Sequence, residues 1–76
     1  MVRLPRISGK EMVRALQRAG FRIDRVSGSH HFLVHESGRA RYAIVPVHAG
    51  QMLSPKVIHA ILESTQLTKE ELIDLL

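Results

Sequence analysis

The segment that decides the fold is residues 21–47, FRIDRVSGSHHFLVHESGRARYAIVPV. Its β-branched, aromatic and alternating residues predict three strands, over Phe21–Val26, His30–His35 and Ala40–Val47. The segments between them are short and contain glycine, at Ser27-Gly28-Ser29 and at residues 36–39, which is typical of turns. Because connections this short join antiparallel neighbours, the segment predicts a three-stranded antiparallel meander.

A helix is predicted before this sheet. Ser8 and Glu11 have the spacing of a capping box, and Gly20 stands where a helix ends in a left-handed residue. Between them, apolar residues recur along one helical face, at Met12, Ala15, Leu16 and Ala19. The opposite face carries Lys10, Arg14 and Arg18, four residues apart, so we expect a cationic stripe whose repulsion an anionic partner relieves.

Two further helices are predicted after the sheet. Ser54 fits the N-cap of the first, with Pro55 in the position that proline prefers, and Thr68 and Glu71 form a second capping box before a short terminal helix. The predicted fold class is α+β, an antiparallel three-stranded sheet with both main helices on one face and the other face open. Residues 1–76 are expected to form one domain, since so short a chain has no room for a second core.

Positive charge is concentrated in the first half of the chain. Residues 1–41 hold nine arginines and lysines against three acidic residues, a net charge of +6, whereas residues 42–76 have a net charge of −2. Eight of the eleven cations are arginine, whose forked guanidinium suits phosphate. This balance indicates a polyanionic partner, and nucleic acid is the commonest one. Ordinary solvated surface charge is the alternative.

Several classes of chemistry lack the residues they need. The chain has no cysteine, which excludes disulfides, thiolate zinc sites and thiol nucleophiles. The histidines do not have zinc-site spacing, and no serine lies in a nucleophile elbow. No apolar run approaches the roughly 18 residues that span a bilayer, and residues 1–6 lack the apolar stretch of a signal peptide. We therefore expect a cytoplasmic protein without a metal site.

Paired imidazoles, His30 and His31, follow the glycine turn directly and precede the apolar residues 32–34. An imidazole titrates near neutrality, so it can both take and give a proton. Alternation places His30 on the face of Phe32 and Val34, which we expect to pack against the helices, and places His31 on the open face. A position at the sheet's rim, or a bulge in the turn, would instead expose His30. The simpler alternative is that both are half-exposed residues at the start of a strand.

One histidine together with many arginines suits the cleavage of RNA. RNA carries its own nucleophile, the 2′-hydroxyl; a histidine can remove its proton, and cations can stabilise the charge that builds at phosphorus. This chemistry requires no cofactor. DNA lacks the 2′-hydroxyl, so such a site would act on RNA alone.

The chain resembles the HicA toxins over nearly its whole length. The resemblance is carried by Ala19-Gly20-Phe21, Gly28-Ser29-His30-His31, Val45-Pro46-Val47-His48, Leu53-Ser54-Pro55, and residues 58–62 and 67–72. The Gly-Ser-His turn at this place in an α-β-β-β-α chain is the specific element, and each other piece alone is weak.

The resemblance implies a fold like that of a double-stranded-RNA-binding domain and ribosome-independent cutting of mRNA. It implies that His30 is the catalytic group, supported by Gly28, Ser29 and His31, and that a HicB antitoxin binds and masks the active surface. The residues expected to contact RNA are Lys10, Arg14, Arg18, Arg22 and Arg25. Whether His30 acts as general base or as general acid stays open, and water or His31 could fill the other role.

Two other classes of function are compatible with the sequence. A non-catalytic module of the double-stranded-RNA-binding type would bind duplex RNA through the cationic helix and would not need paired histidines at a glycine turn. A protein-interaction domain would show no salt-dependent binding of RNA.

Overall fold

A computed structural model describes residues 3–76 and contains three helices and three strands in the order α-β-β-β-α-α. The elements are α1 (Gly9–Arg18), β1 (Phe21–Ser27), β2 (His30–His35), β3 (Gly38–Pro46), α2 (Pro55–Thr65) and α3 (Lys69–Leu75). This confirms the predicted α+β class, and the order is consistent with a double-stranded-RNA-binding-domain-like fold. The expected domain of residues 1–76 includes residues 1 and 2, which lie outside the described residues.

The helices begin where local side-chain chemistry predicts. The Ser8 hydroxyl accepts a hydrogen bond from the Glu11 amide at 3.2 Å, and the Glu11 carboxylate accepts one from the Ser8 amide at 2.9 Å. Thr68 and Glu71 form the same reciprocal pair at the start of α3. The Ser54 hydroxyl caps α2 by accepting from the amide of the third helical residue. Each of these contacts satisfies amides that the first helical turn leaves unpaired.

The sheet has the strand order β1-β2-β3, and both pairs are antiparallel. His30 pairs with Ser27 on one side and with Pro46 on the other. The register shifts between Ile23 and Arg25 in β1 and between Val34 and His35 at the end of β2. It is regular on both sides of the turn between β1 and β2, so no bulge accounts for the direction of His30.

A single apolar core joins the helices to one face of the sheet. It contains Met12 and Leu16 from α1, Leu33, Ala43 and Val45 from the sheet, Ile58 and Ile61 from α2, and Leu72 from α3. The predicted placement of the main helices on one sheet face is confirmed. Among residues 3–76 no helix is long and apolar enough to cross a membrane.

The expectation that Phe32 and Val34 pack against the helices is wrong. The row that faces the helices is Leu33 on β2 with Ala43 and Val45 on β3, each at most 1% exposed. Phe32 and Val34 lie outside this core cluster, on the opposite sheet face. Because β2 is apolar on both faces, its own pattern does not choose between them. The choice follows from β3, whose small Ala43 side chain lies beneath the helices.

Candidate active site

His30 is the first residue of β2, and its side chain is exposed. Its backbone is held between β1 and β3 through the pairs with Ser27 and Pro46. The preceding carbonyl, that of Ser29, accepts a hydrogen bond from the Val47 amide at 2.7 Å, so the ladder extends past the strand end. The site therefore combines an exposed imidazole with a backbone fixed from both sides.

Gly28 determines the conformation of the turn that precedes His30. Gly28 and Ser29 are the two residues between the paired Ser27 and His30, and Gly28 has φ +57°. A glycine with positive φ at the first central position is the pattern of a type II′ hairpin turn. A Cβ built at Gly28 meets no atom within 4 Å, so the backbone conformation, and not crowding, favours glycine here.

His30 lies on the open face of the sheet and His31 does not, the reverse of the sequence expectation. His31 pairs with Val45, which is fully buried beneath the helices, so its ring points to the helical side. Its Nδ1 atom is buried and has no hydrogen-bond partner among residues 3–76. An unpaired buried nitrogen lowers stability and is out of reach of a substrate on the opposite face. Of the paired imidazoles, His30 alone is placed on the open face.

His35 holds the end of α1 to the β2–β3 hairpin. The Ser37 amide donates to His35 Nδ1 at 3.1 Å, and His35 Nε2 lies 3.2 Å from the Ala19 carbonyl oxygen and 3.4 Å from the Arg41 guanidinium. The ring also meets Phe21 edge to face, with centroids 4.9 Å apart. The sequence assigned no role to His35, because its partners are distant along the chain.

His48 is a further exposed histidine at the same end of the sheet as His30. It follows the bonded Val47 and lies two residues after Pro46, the β3 partner of His30. Together with Pro46 and Val57 it lines a small cavity of about 80 Å³. In the sequence, His48 contributes to the resemblance but lies in no motif that predicts a chemical role for it.

The five cations expected to contact RNA fall into two sets. Lys10, Arg14 and Arg18 are exposed on α1, on the helical side of the sheet, and Arg18 donates a hydrogen bond to the Leu75 carbonyl at 2.8 Å. The first residue of α1, Gly9, packs so closely on Pro46 that a Cβ would overlap the Pro46 carbonyl oxygen. The start of the cationic helix thus adjoins the His30 end of the sheet.

Arg22 and Arg25 form the second set, on the open face. They pair with Val34 and Phe32, the residues of the His30 row. The Arg25 guanidinium lies 4.0 Å from the centroid of the Phe32 ring, a cation–π contact. Positive charge therefore reaches the His30 end from α1 and lies along the His30 face from β1.

Within residues 3–76, no three histidine or acidic side chains gather closely enough to hold a metal ion. The acidic residue of β1, Asp24, is paired with Arg39 at 3.3 Å. This arrangement suits an anionic ligand.

Comparison with protein families identifies the chain. A family model described as HicA toxin of bacterial toxin–antitoxin matches residues 9–67. The chain belongs to the HicA toxin family. The match runs from the first residue of α1 to just beyond α2 and includes the Gly28–His31 turn. A search of the curated proteins finds no match. As a HicA toxin, the protein is the toxin component of a bacterial toxin–antitoxin system.

Proposed function

We propose that this HicA toxin is a ribosome-independent endonuclease of mRNA in which His30 transfers a proton at the cleaved phosphate. The observation that supports the proposal most strongly is the placement of His30. Its ring is exposed on the open sheet face, while hydrogen-bonded strands fix its backbone on both sides. A catalytic group needs this combination of access and fixed position.

The reaction forms a bond from the 2′-oxygen to phosphorus and breaks the bond from phosphorus to the 5′-oxygen. A general base takes the proton of the 2′-hydroxyl, and a general acid gives a proton to the departing 5′-oxygen. The products are a 2′,3′-cyclic phosphate and a 5′-hydroxyl end. His30 performs one of the two transfers. His48, at the same end of the sheet, is our candidate for the other, since His31 faces the helices.

The cations supply the electrostatic part of catalysis. Negative charge accumulates on the phosphate oxygens in the transition state, and fixed cations nearby lower its free energy. Lys10 follows Gly9, whose close contact with Pro46 brings the first turn of α1 to the His30 end of the sheet. The net charge of +4 also favours capture of a polyanion. We propose that the reaction takes place in the cytoplasm and needs no metal ion.

A HicB-like antitoxin is the proposed protein partner. Masking His30 and the adjoining cations would block the substrate, and an acidic surface on the antitoxin would speed its capture of this basic chain. Co-expression of the antitoxin with the toxin, followed by co-purification, tests the interaction. If the two proteins do not co-purify, the proposed antitoxin partner is contradicted, while the proposed nuclease function is unaffected.

The experiment that tests the reaction uses one RNA in two forms, with and without a 2′-deoxy substitution at the cleavage site. We expect the native RNA to be cut in the presence of EDTA, leaving a 5′-hydroxyl end, and the substituted RNA to stay intact at that site. Cleavage of the 2′-deoxy RNA, or loss of cleavage with EDTA, would contradict this mechanism. Binding without any cleavage would favour the non-catalytic RNA-binding module.

A further inference from the structure

The sheet face opposite the helices carries aromatic, aliphatic and basic side chains, most of them exposed, with Phe32 half-buried and Val34 buried among them. We call it the open face; the register assigns to it Arg22 and Arg25 from β1, His30, Phe32 and Val34 from β2, and Tyr42 and Ile44 from β3. Tyr42 is 47% exposed and Ile44 is 44% exposed. A shallow groove of about 220 Å³ on this face is lined by Arg25, Phe32, Tyr42 and Ile44, among others. Apolar surface of this kind, rimmed by charge, marks a binding surface.

Two planar groups on this face are built to stack. The Arg25 guanidinium carbon lies over the Phe32 ring, 4.0 Å from its centroid, so this cation is held against the ring. Tyr42 offers a second, half-exposed ring on β3. Nucleic-acid bases stack on aromatic rings and on guanidinium planes, whatever their sequence.

The side chains of the open face are mostly basic, and this charge favours a polyanionic ligand such as RNA. Arg22, Arg25 and Arg39 lie on or beside it, and Asp24 is the acid among them. Asp24 is neutralised by Arg39 at 3.3 Å, so the other two guanidiniums are available to phosphate. His30 belongs to the same row as Phe32, about 6.6 Å along the strand at roughly 3.3 Å per residue.

We propose that the open face is a binding track for single-stranded RNA that leads to His30. The nucleotides beside the cleaved phosphate place their bases on the Arg25–Phe32 pair and on Tyr42. This inference rests on the proposed nuclease function and specifies its substrate. In a duplex the faces of the bases are stacked inside the helix and cannot stack on protein side chains, so the track selects unpaired RNA.

Aromatic proton resonances provide a direct test. Tyr42 is the only tyrosine and Phe21 and Phe32 are the only phenylalanines, so their rings are readily assigned. The protein is His30→Ala, which should slow cleavage enough for the complex to be observed, and the probe is a mixed-sequence RNA of about ten nucleotides, single-stranded or as a blunt duplex. We expect the single strand to shift the Tyr42 ring protons upfield, and to shift the Phe32 ring protons by a smaller amount because the Arg25 guanidinium covers that ring. Phe21, 3% exposed on the helical side, is the internal control and should not move.

Binding constants complete the test. In the His30→Ala background, Tyr42→Ala should weaken single-strand binding roughly 5- to 150-fold, the range measured for one stacked base, and Tyr42→Phe should restore it. His59→Ala, at an exposed position on α2, is the matched control and should have no effect.

Three results would overturn the track: unshifted rings in the RNA complex, a Tyr42→Ala protein that binds like its parent, or a duplex bound as tightly as the single strand. If RNA leaves the rings unmoved and a co-expressed antitoxin shifts them, the open face is a protein interface. These failures are separable from failure of the nuclease. If wild type stacks RNA on the open face but never cuts it, the binding track is supported and the nuclease function is contradicted. If RNA is cut in a His30-dependent way while the rings stay unshifted, the nuclease function is supported and the binding track is contradicted.

Discussion

Gly9→Ala should destabilise the protein through a single contact. A Cβ at Gly9 would overlap the Pro46 carbonyl oxygen and lie 3.0 Å from the Val47 Cα. Both obstacles are backbone atoms, which cannot rotate away, so α1 and β3 must separate. Overpacking of this kind costs about 1–3 kcal/mol, against a gain of up to about 1 kcal/mol for replacing a helical glycine by alanine. We expect a net loss of roughly 1–2 kcal/mol in the free energy of unfolding.

Thermal denaturation measures this loss. For a domain of this size, about 1 kcal/mol corresponds to roughly 4–8 °C, so Tm should fall on the order of 5–15 °C. Gln17→Ala, at an exposed position on the same helix, is the control for the alanine itself and should leave Tm within a few degrees of wild type. RNA cleavage by Gly9→Ala should also fall at temperatures where the protein is folded, because Pro46 is the strand partner of His30. A Gly9→Ala protein with the stability of wild type would refute the reasoning.

Three other variants test separate parts of the structure. His35→Ala removes the ring that bridges Ser37 and Ala19, and should lower the free energy of unfolding by roughly 2–3 kcal/mol in chemical denaturation, while His59→Ala leaves it unchanged. A hydrogen bond from the Thr68 backbone amide lowers the pKa of the Glu71 carboxyl below its usual range, and the Thr68 side chain makes a smaller contribution in the same direction. The stability that the ionised Glu71 carboxylate contributes is present above the pKa of the unfolded state and is lost as pH falls through the lower pKa of the folded state. Unfolding curves below about pH 4 should therefore show that acid destabilises wild type more than Glu71→Gln. His48→Gln should reduce RNA cleavage at least about tenfold with RNA affinity unchanged in gel-shift titration, and an unchanged rate would remove His48 from the reaction.

The ends of the helices and the strand order were predictable because short-range chemistry determines them. A capping box needs only Ser8 and Glu11, or Thr68 and Glu71, three residues apart, and both boxes are present. The predicted and observed ends of the strands differ by at most two residues, and the largest difference is at β3, which begins at Gly38 instead of Ala40. Two glycine-containing turns were enough to specify an antiparallel meander.

The direction of His30 was not predictable, because it depends on how the layers pack. Phe32 and Leu33 are both apolar, so the alternation within β2 fits either face. Burial of Ala43 and Val45 on β3 decides the matter, and only the packed structure shows it. The catalytic role of His30 stays a prediction.

Long-range partners were equally invisible in the sequence. His35 contacts Ala19, 16 residues away, and Arg18 bonds to the Leu75 carbonyl, 57 residues away. The division of the cations between α1 and the open face has the same origin, since it follows from which sheet face the helix covers. No local pattern in the chain carries that information.

The most direct test of the central claim is the rate at which folded His30→Ala cuts RNA. Cleavage by wild type and by the variant is followed on one single-stranded RNA with EDTA present, and circular dichroism confirms that both proteins are folded. His30 is exposed and outside the core, so the fold should be intact and the rate should drop roughly 10²–10⁴-fold, the contribution of a general acid or base. A folded His30→Ala protein that cuts within a few-fold of the wild-type rate would contradict the account.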